Sequence, residues 1–159
     1  MCAPLARAAS RSTRALEFMA MNVARLVAAA LGALAVIHVY WALGGRAGKI
    51  AAVPEVDGRR AFTPSTVGTL AVAAALLFAA SVVAIAGGLF GVGGFRGLFR
   101  VLAFGLSATF IARAVGDFRL VGFFKQVRGT QFARLDTIIF APLCLALGVA
   151  VLYVAYHDV

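Results

Sequence analysis

Four long apolar stretches separated by short, arginine-rich connections constrain this chain more than any other feature. As a helix, an uncharged run of about 20 residues is long enough to cross the ~30 Å hydrocarbon core of a bilayer. Of 159 residues, 63% are hydrophobic and only 13% charged. A soluble domain this small leaves much of its surface in water and could not hide that much apolar area, whereas lipid removes the demand. The spacing predicts an all-α fold, an integral membrane bundle of four transmembrane helices near residues 24–44, 66–90, 98–116 and 137–156.

Charge points the same way. The net charge is +9, but the 15 Lys and Arg residues lie between the apolar runs rather than in one patch. That pattern suits loops facing anionic lipid headgroups and argues against nucleic acid as a partner. The cysteines, Cys2 and Cys144, are far apart in expected depth and form no C-x-x-C, so neither a disulfide nor a redox motif is expected. Cys144 reads as a small core hydrophobe.

Residues 1–22 read as a basic, disordered lead carrying Arg7, Arg11 and Arg14, and residues 23–159 as the four-helix membrane domain. Met19 and Met21 stand just before the first apolar run and offer alternative starts. The first span, Leu26 to Leu43, ends in His38, Tyr40 and Trp41, rings suited to the membrane interface. Gly44 and Gly45 then open a loop to residue 65. The second span carries Ala80, Ala84 and Gly88 at every fourth position, a ridge that lets a neighbouring helix approach closely. The glycine-rich turn from Gly87 to Gly97 contains G-V-G-G, but it follows a membrane helix, and the dinucleotide fingerprint must follow a strand.

The third span has only twelve uncharged residues, Val101 to Ala112, between Arg100 and Arg113. Its helix must therefore extend past a charge, with Arg100 and Arg113 reaching outward from its ends. Asp117 lies four residues after Arg113, the spacing of a helical ion pair. From Phe118 to Asp136 apolar residues alternate with Arg119, Lys125 and Arg128, an interfacial pattern with its basic side toward headgroups. The fourth span, Thr137 to Tyr156, has Pro142 one turn in, where it costs least or kinks the helix.

With four spans, both termini share one side and the two large loops the other. The loop side holds nine Lys and Arg residues against six on the terminal side, a small difference, but a start at Met19 or Met21 leaves three there and orients the loops toward the cytoplasm. On that side the unusual residues gather: His38, Trp41, Arg113, Asp117, Arg119, Lys125 and Asp136. They form a candidate polar cluster, since ionisable residues at membrane depth are functional candidates, though they also serve as headgroup anchors. No catalytic residue, metal site or cofactor loop is expected among them.

The strings HVYWALGG (His38 to Gly45), Val53-Pro54, RAVGDFRLVGFFK (Arg113 to Lys125), FARLDT (Phe132 to Thr137) and Pro142-Leu143 resemble a family of small bacterial four-helix membrane proteins catalogued as domain of unknown function 3995. The resemblance covers residues 25–156 and implies this fold and a multi-pass place in the bacterial inner membrane, but no activity. Three functions compete. The first is a non-enzymatic bundle binding lipid, a protein partner or further copies of itself. The second is a transporter or channel component with His38, Arg113 and Asp117 along a polar path. The third is a membrane enzyme acting on lipid or quinone, with His38 as acid/base.

Overall fold

The computed structural model of the chain describes residues 3–49, 52–56, 59–91 and 93–157, with residues 3–13 described by their backbone. Cys2 lies outside the described residues. The chain is mostly helical: α1 is Ala3–Ala42, α2 Thr66–Ala86, α3 Arg96–Val115, α4 Gln131–Leu135 and α5 Ala141–Tyr156. A 3-10 turn, Gly93–Phe95, leads into α3, and a π-helical turn, Asp136–Phe140, joins α4 to α5. The loop after α1 carries a two-residue hairpin, with Glu55 opposite Arg60 and Val56 opposite Arg59. Four helical stretches are long and apolar enough to cross a membrane: Arg14–Ala42, Thr66–Ala86, Gly93–Val115 and Gln131–Tyr156.

Local sequence explains most of these bounds. The Ser65 side chain caps α2 by accepting the Gly68 N–H at 3.0 Å, and Thr130 caps α4 by accepting the Ala133 N–H at 3.1 Å. The segment expected to be a disordered lead is helical from Ala3 onward. Its alanine-, leucine- and arginine-rich stretch favours helix, and extending a formed helix avoids the cost of nucleation.

The fourth stretch likewise starts earlier than expected, at Gln131, so Pro142 lies well inside it. Proline has no N–H to give the carbonyl four residues back and crowds it. The chain answers with the wider turn just before it, where the Ala141 N–H reaches back five residues to the Asp136 carbonyl.

Packing pairs the helices. α1 lies chiefly on α2, and α3 chiefly on α5, with smaller contacts joining α2 to α3 and α1 to α5. Leu31, Val82, Val83, Val151 and Val154 are fully buried between them. The expected ridge of Ala80, Ala84 and Gly88 is partly inside, Ala84 being buried and the other two half-buried. The closest approach falls one position along, where Gly87 meets Ala24 and Val154. Between α3 and α5, Gly148 backs onto Phe110 and Ile111, and the Ser107 hydroxyl donates to its carbonyl at 2.8 Å.

At this end of the molecule Arg100 does not reach outward as expected. Its Nε donates to the Ala155 carbonyl at 3.0 Å, one of the helix-terminal carbonyls that lack a helical partner. With Gly87, Ala24, Val154 and Ala155 gathered at one end, the loops 43–65 and 116–130 share the other.

Candidate functional site

The loop end is organised around Asp136. This carboxylate has no exposed surface. One oxygen accepts from Arg113 Nη2 at 2.8 Å. The other accepts from Lys125 Nζ at 3.0 Å and from the Gly122 backbone N–H at 2.7 Å. Lys125, only 3% exposed, also donates to the Gly122 carbonyl at 2.9 Å and to the Thr137 hydroxyl at 2.7 Å, which uses all three ammonium protons. Two cations thus share one buried anion, and the cluster keeps a net positive charge. The Arg113 side chain is one-third exposed, yet its Nη1 is buried without a hydrogen-bond partner among the described residues.

The loop 116–130 reaches Asp136 because it doubles back on itself. Gly116 and Gly122 adopt φ of +97° and +85°, which side-chain-bearing residues rarely do. A Cβ at Gly122 would also run into the backbone of Val115 and Gly116. The fold-back is held by the Phe123 N–H on the Ala114 carbonyl at 2.9 Å and by the Gln126 and Val127 N–H groups on the Arg119 carbonyl at 3.2 and 3.0 Å.

Two expectations change here. Arg113 does not pair with Asp117, because α3 stops at Val115 and the two no longer share a helical face. Asp117 is instead an exposed turn-former whose Oδ1 accepts the N–H groups of Arg119, Leu120 and Val121 at 2.9, 2.7 and 3.0 Å. Those bonds, that from Val121 foremost, hold its pKa below the usual carboxylate value. Lys125 is the second change: the interfacial pattern pointed it at headgroups, and it is buried. Arg119 contributes its backbone to the loop, and its side chain is exposed.

His38 and Trp41 form a separate site. Their rings meet edge-on, with centroids 5.0 Å apart. His38 Nδ1 lies 2.7 Å from the Leu34 carbonyl, Trp41 Nε1 donates to the Ala47 carbonyl at 2.7 Å, and Lys49 Nζ donates to the Trp41 carbonyl at 3.2 Å. They line a cavity of about 430 Å³ with Phe62, Thr63, Thr69 and Val72. A second cavity, of about 570 Å³, is bordered by Phe123, Lys125, Arg128, Arg134, Thr137 and Ile138. The two cavities share no lining residue, so the single expected cluster divides into two places.

Gly122 and Thr137 complete the Asp136 cluster and were not anticipated. Their signal was present as two glycines, Gly116 and Gly122, bracketing an aspartate turn. No group of three or more His, Cys, Asp or Glu placed to hold a metal occurs among the described residues.

A mostly helical architecture, with four helices long and apolar enough to cross a membrane and an ion-paired loop end, is what the residues define. The chain belongs to the family described as protein of unknown function DUF3995, which it matches over residues 31–151. No curated protein and no solved structure matches it significantly.

Proposed function

We propose that this is a non-enzymatic, multi-pass protein of the bacterial inner membrane, a four-helix bundle that binds anionic lipid headgroups at its loop end. The observation that carries the reading is the cavity beside Lys125. Two arginines border it, Arg128 and Arg134, and neither guanidinium has a hydrogen bond or ion pair among the described residues. Among the described residues no acidic side chain lines it, and Thr130 and Thr137 do. Exposed Phe123 and Ile138 stand at its edge, so a cationic recess adjoins an apolar surface.

A phosphate placed there meets charge and planar donors while its acyl chains stay beside apolar side chains. The outward faces of the helices support the membrane placement: Leu26 and Val67 are 72% and 78% exposed, which suits lipid rather than water. The basic excess on the loop side supports a cytoplasmic loop end.

The test is native mass spectrometry of protein released from bilayers of mixed phosphatidylglycerol and phosphatidylcholine. The wild type should retain phosphatidylglycerol preferentially, and Arg128→Gln with Arg134→Gln should lose that preference. Equal retention of both lipids by the wild type would overturn the reading. A second copy or another protein on this face would instead appear as a defined heavier complex.

A further inference from the structure

We propose that the cavity between the last turn of α1 and the first turns of α2 binds a lipid-soluble phenol, a hydroxylated aromatic head on an apolar tail, a class that includes quinols. At about 430 Å³ it has the size of a small-ligand site. Most of its polar groups are already committed to the walls. Ser65 Oγ takes the Gly68 N–H, Thr69 donates to the Ser65 carbonyl at 2.8 Å, and Trp41 Nε1 is held by the Ala47 carbonyl. What remains for a ligand is His38 Nε2, the unspent protons of Lys49, and the Thr63 hydroxyl.

His38 sets the ligand's chemistry. A carbonyl oxygen only accepts, so the 2.7 Å contact with the Leu34 carbonyl fixes the proton on Nδ1. In the neutral ring Nε2 then carries a bare lone pair, and the group it suits is a hydroxyl donor. The same hydroxyl oxygen keeps lone pairs for a donor, and Lys49 on the cavity wall supplies one. Trp41, Phe62 and Pro64 offer flat apolar walls, which favour an aromatic head over an alkyl one. Val72 lines the cavity and is nevertheless 45% exposed on α2, so the cavity opens where a bilayer would lie and a tail can leave into lipid. The inference rests on the membrane placement proposed above but not on the basic cavity.

Trp41 is the single tryptophan of the chain, so its emission reports this cavity alone. The experiment titrates 4-decylphenol, decanol and decanoate, each by itself, into the full chain in phosphatidylcholine nanodiscs. The wild type should respond saturably to 4-decylphenol, and the His38 Nε2 nitrogen resonance should move with the same midpoint. His38→Phe should weaken binding about tenfold, the loss expected for one hydrogen bond. Val72→Phe, which fills the cavity and leaves His38 in place, should abolish it even if His38→Phe does not fold. A response that never saturates in protein recovered folded from the membrane would overturn the proposal without touching the membrane reading. Tighter binding of decanoate, lost in Lys49→Gln, would overturn it in favour of an anionic amphiphile. Equal binding of decanol would remove the aromatic requirement and with it the assigned ligand class.

Discussion

Replacing Asp136 with asparagine keeps the side chain's size and removes only its charge, which makes it the sharpest test of the loop end. The carboxylate has no exposed surface and takes N–H groups from Arg113, Gly122 and Lys125 at 2.7 to 3.0 Å. An amide can offer one oxygen to these donors, and its NH₂ must then face N–H groups. Lys125 would keep the Gly122 carbonyl and the Thr137 hydroxyl, but its buried charge would lose its counter-ion. Breaking a buried pair on one side costs about 3–5 kcal/mol, against about 0–1 for an exposed one. Lys125 accounts for most of the expected loss, since Arg113 is one-third exposed and partly served by solvent.

The expected loss for Asp136→Asn is therefore about 3–5 kcal/mol. Neutralising both partners together, as Asp136→Asn with Lys125→Met, should recover about 2 kcal/mol of it, because no buried charge is then left alone. Denaturant titration in mixed micelles measures both numbers, and limited proteolysis of the loop 116–130 shows whether that loop has come free. A single-variant loss below about 1 kcal/mol would refute the reasoning, as would strictly additive losses in the double variant.

Three further outcomes follow from the same geometry. Gly122→Ala should destabilise by more than about 1 kcal/mol, because φ is positive and the new methyl meets backbone; Lys125 should then become reactive to an amine label. Ser107→Ala should cost about 0.6 kcal/mol and no more than about 1.7, read by the same titration, since it removes one hydrogen bond between helices. For Asp117 the folded pKa lies below the ordinary 3.8, so its stabilisation is complete above that value and disappears as pH falls through the lower folded one. Exchange of the Val121 amide should accelerate only in that acid range, and Asp117→Asn should flatten the dependence.

How much was legible in the sequence depended on whether the signal was periodic or local. The helices announced themselves by charge-free length, and even the short third span carried the requirement that it extend past an arginine, as α3 does past Arg100. Which charges meet was hidden, because it depends on a chain reversal. Spacing joined Arg113 to Asp117, and that logic holds only while the helix continues. Gly116 ends it, and Asp117 then serves its own turn. Asp136 is 23 residues from Arg113 in sequence, and only the fold-back through Gly116 and Gly122 puts them together. Lys125 was misread for a related reason: an alternating apolar and basic pattern assumes a regular interfacial element, and this segment is an irregular loop with its lysine turned inward.

The two loop-end cavities differ in a way that bears on function. The Asp136 cluster uses Lys125 fully and leaves Arg128 and Arg134 to a recess that no acid lines among the described residues, which suits a ligand that brings negative charge. Beside His38 the groups left over are a ring nitrogen, an ammonium and a hydroxyl among flat apolar walls, which suit the uncharged hydroxylated aromatic proposed for it. Raising salt should therefore weaken whatever binds at Arg128 and Arg134 and leave the His38 cavity's affinity for the phenol nearly unchanged, because screening acts on ion pairs far more than on the hydrogen bonds of an uncharged ligand. Titrating both sites in nanodiscs at about 0.01 M and 1 M salt spans Debye lengths from about 30 to 3 Å. A His38 cavity that lost its ligand in step with the arginine recess would mean that the two are one electrostatic site after all.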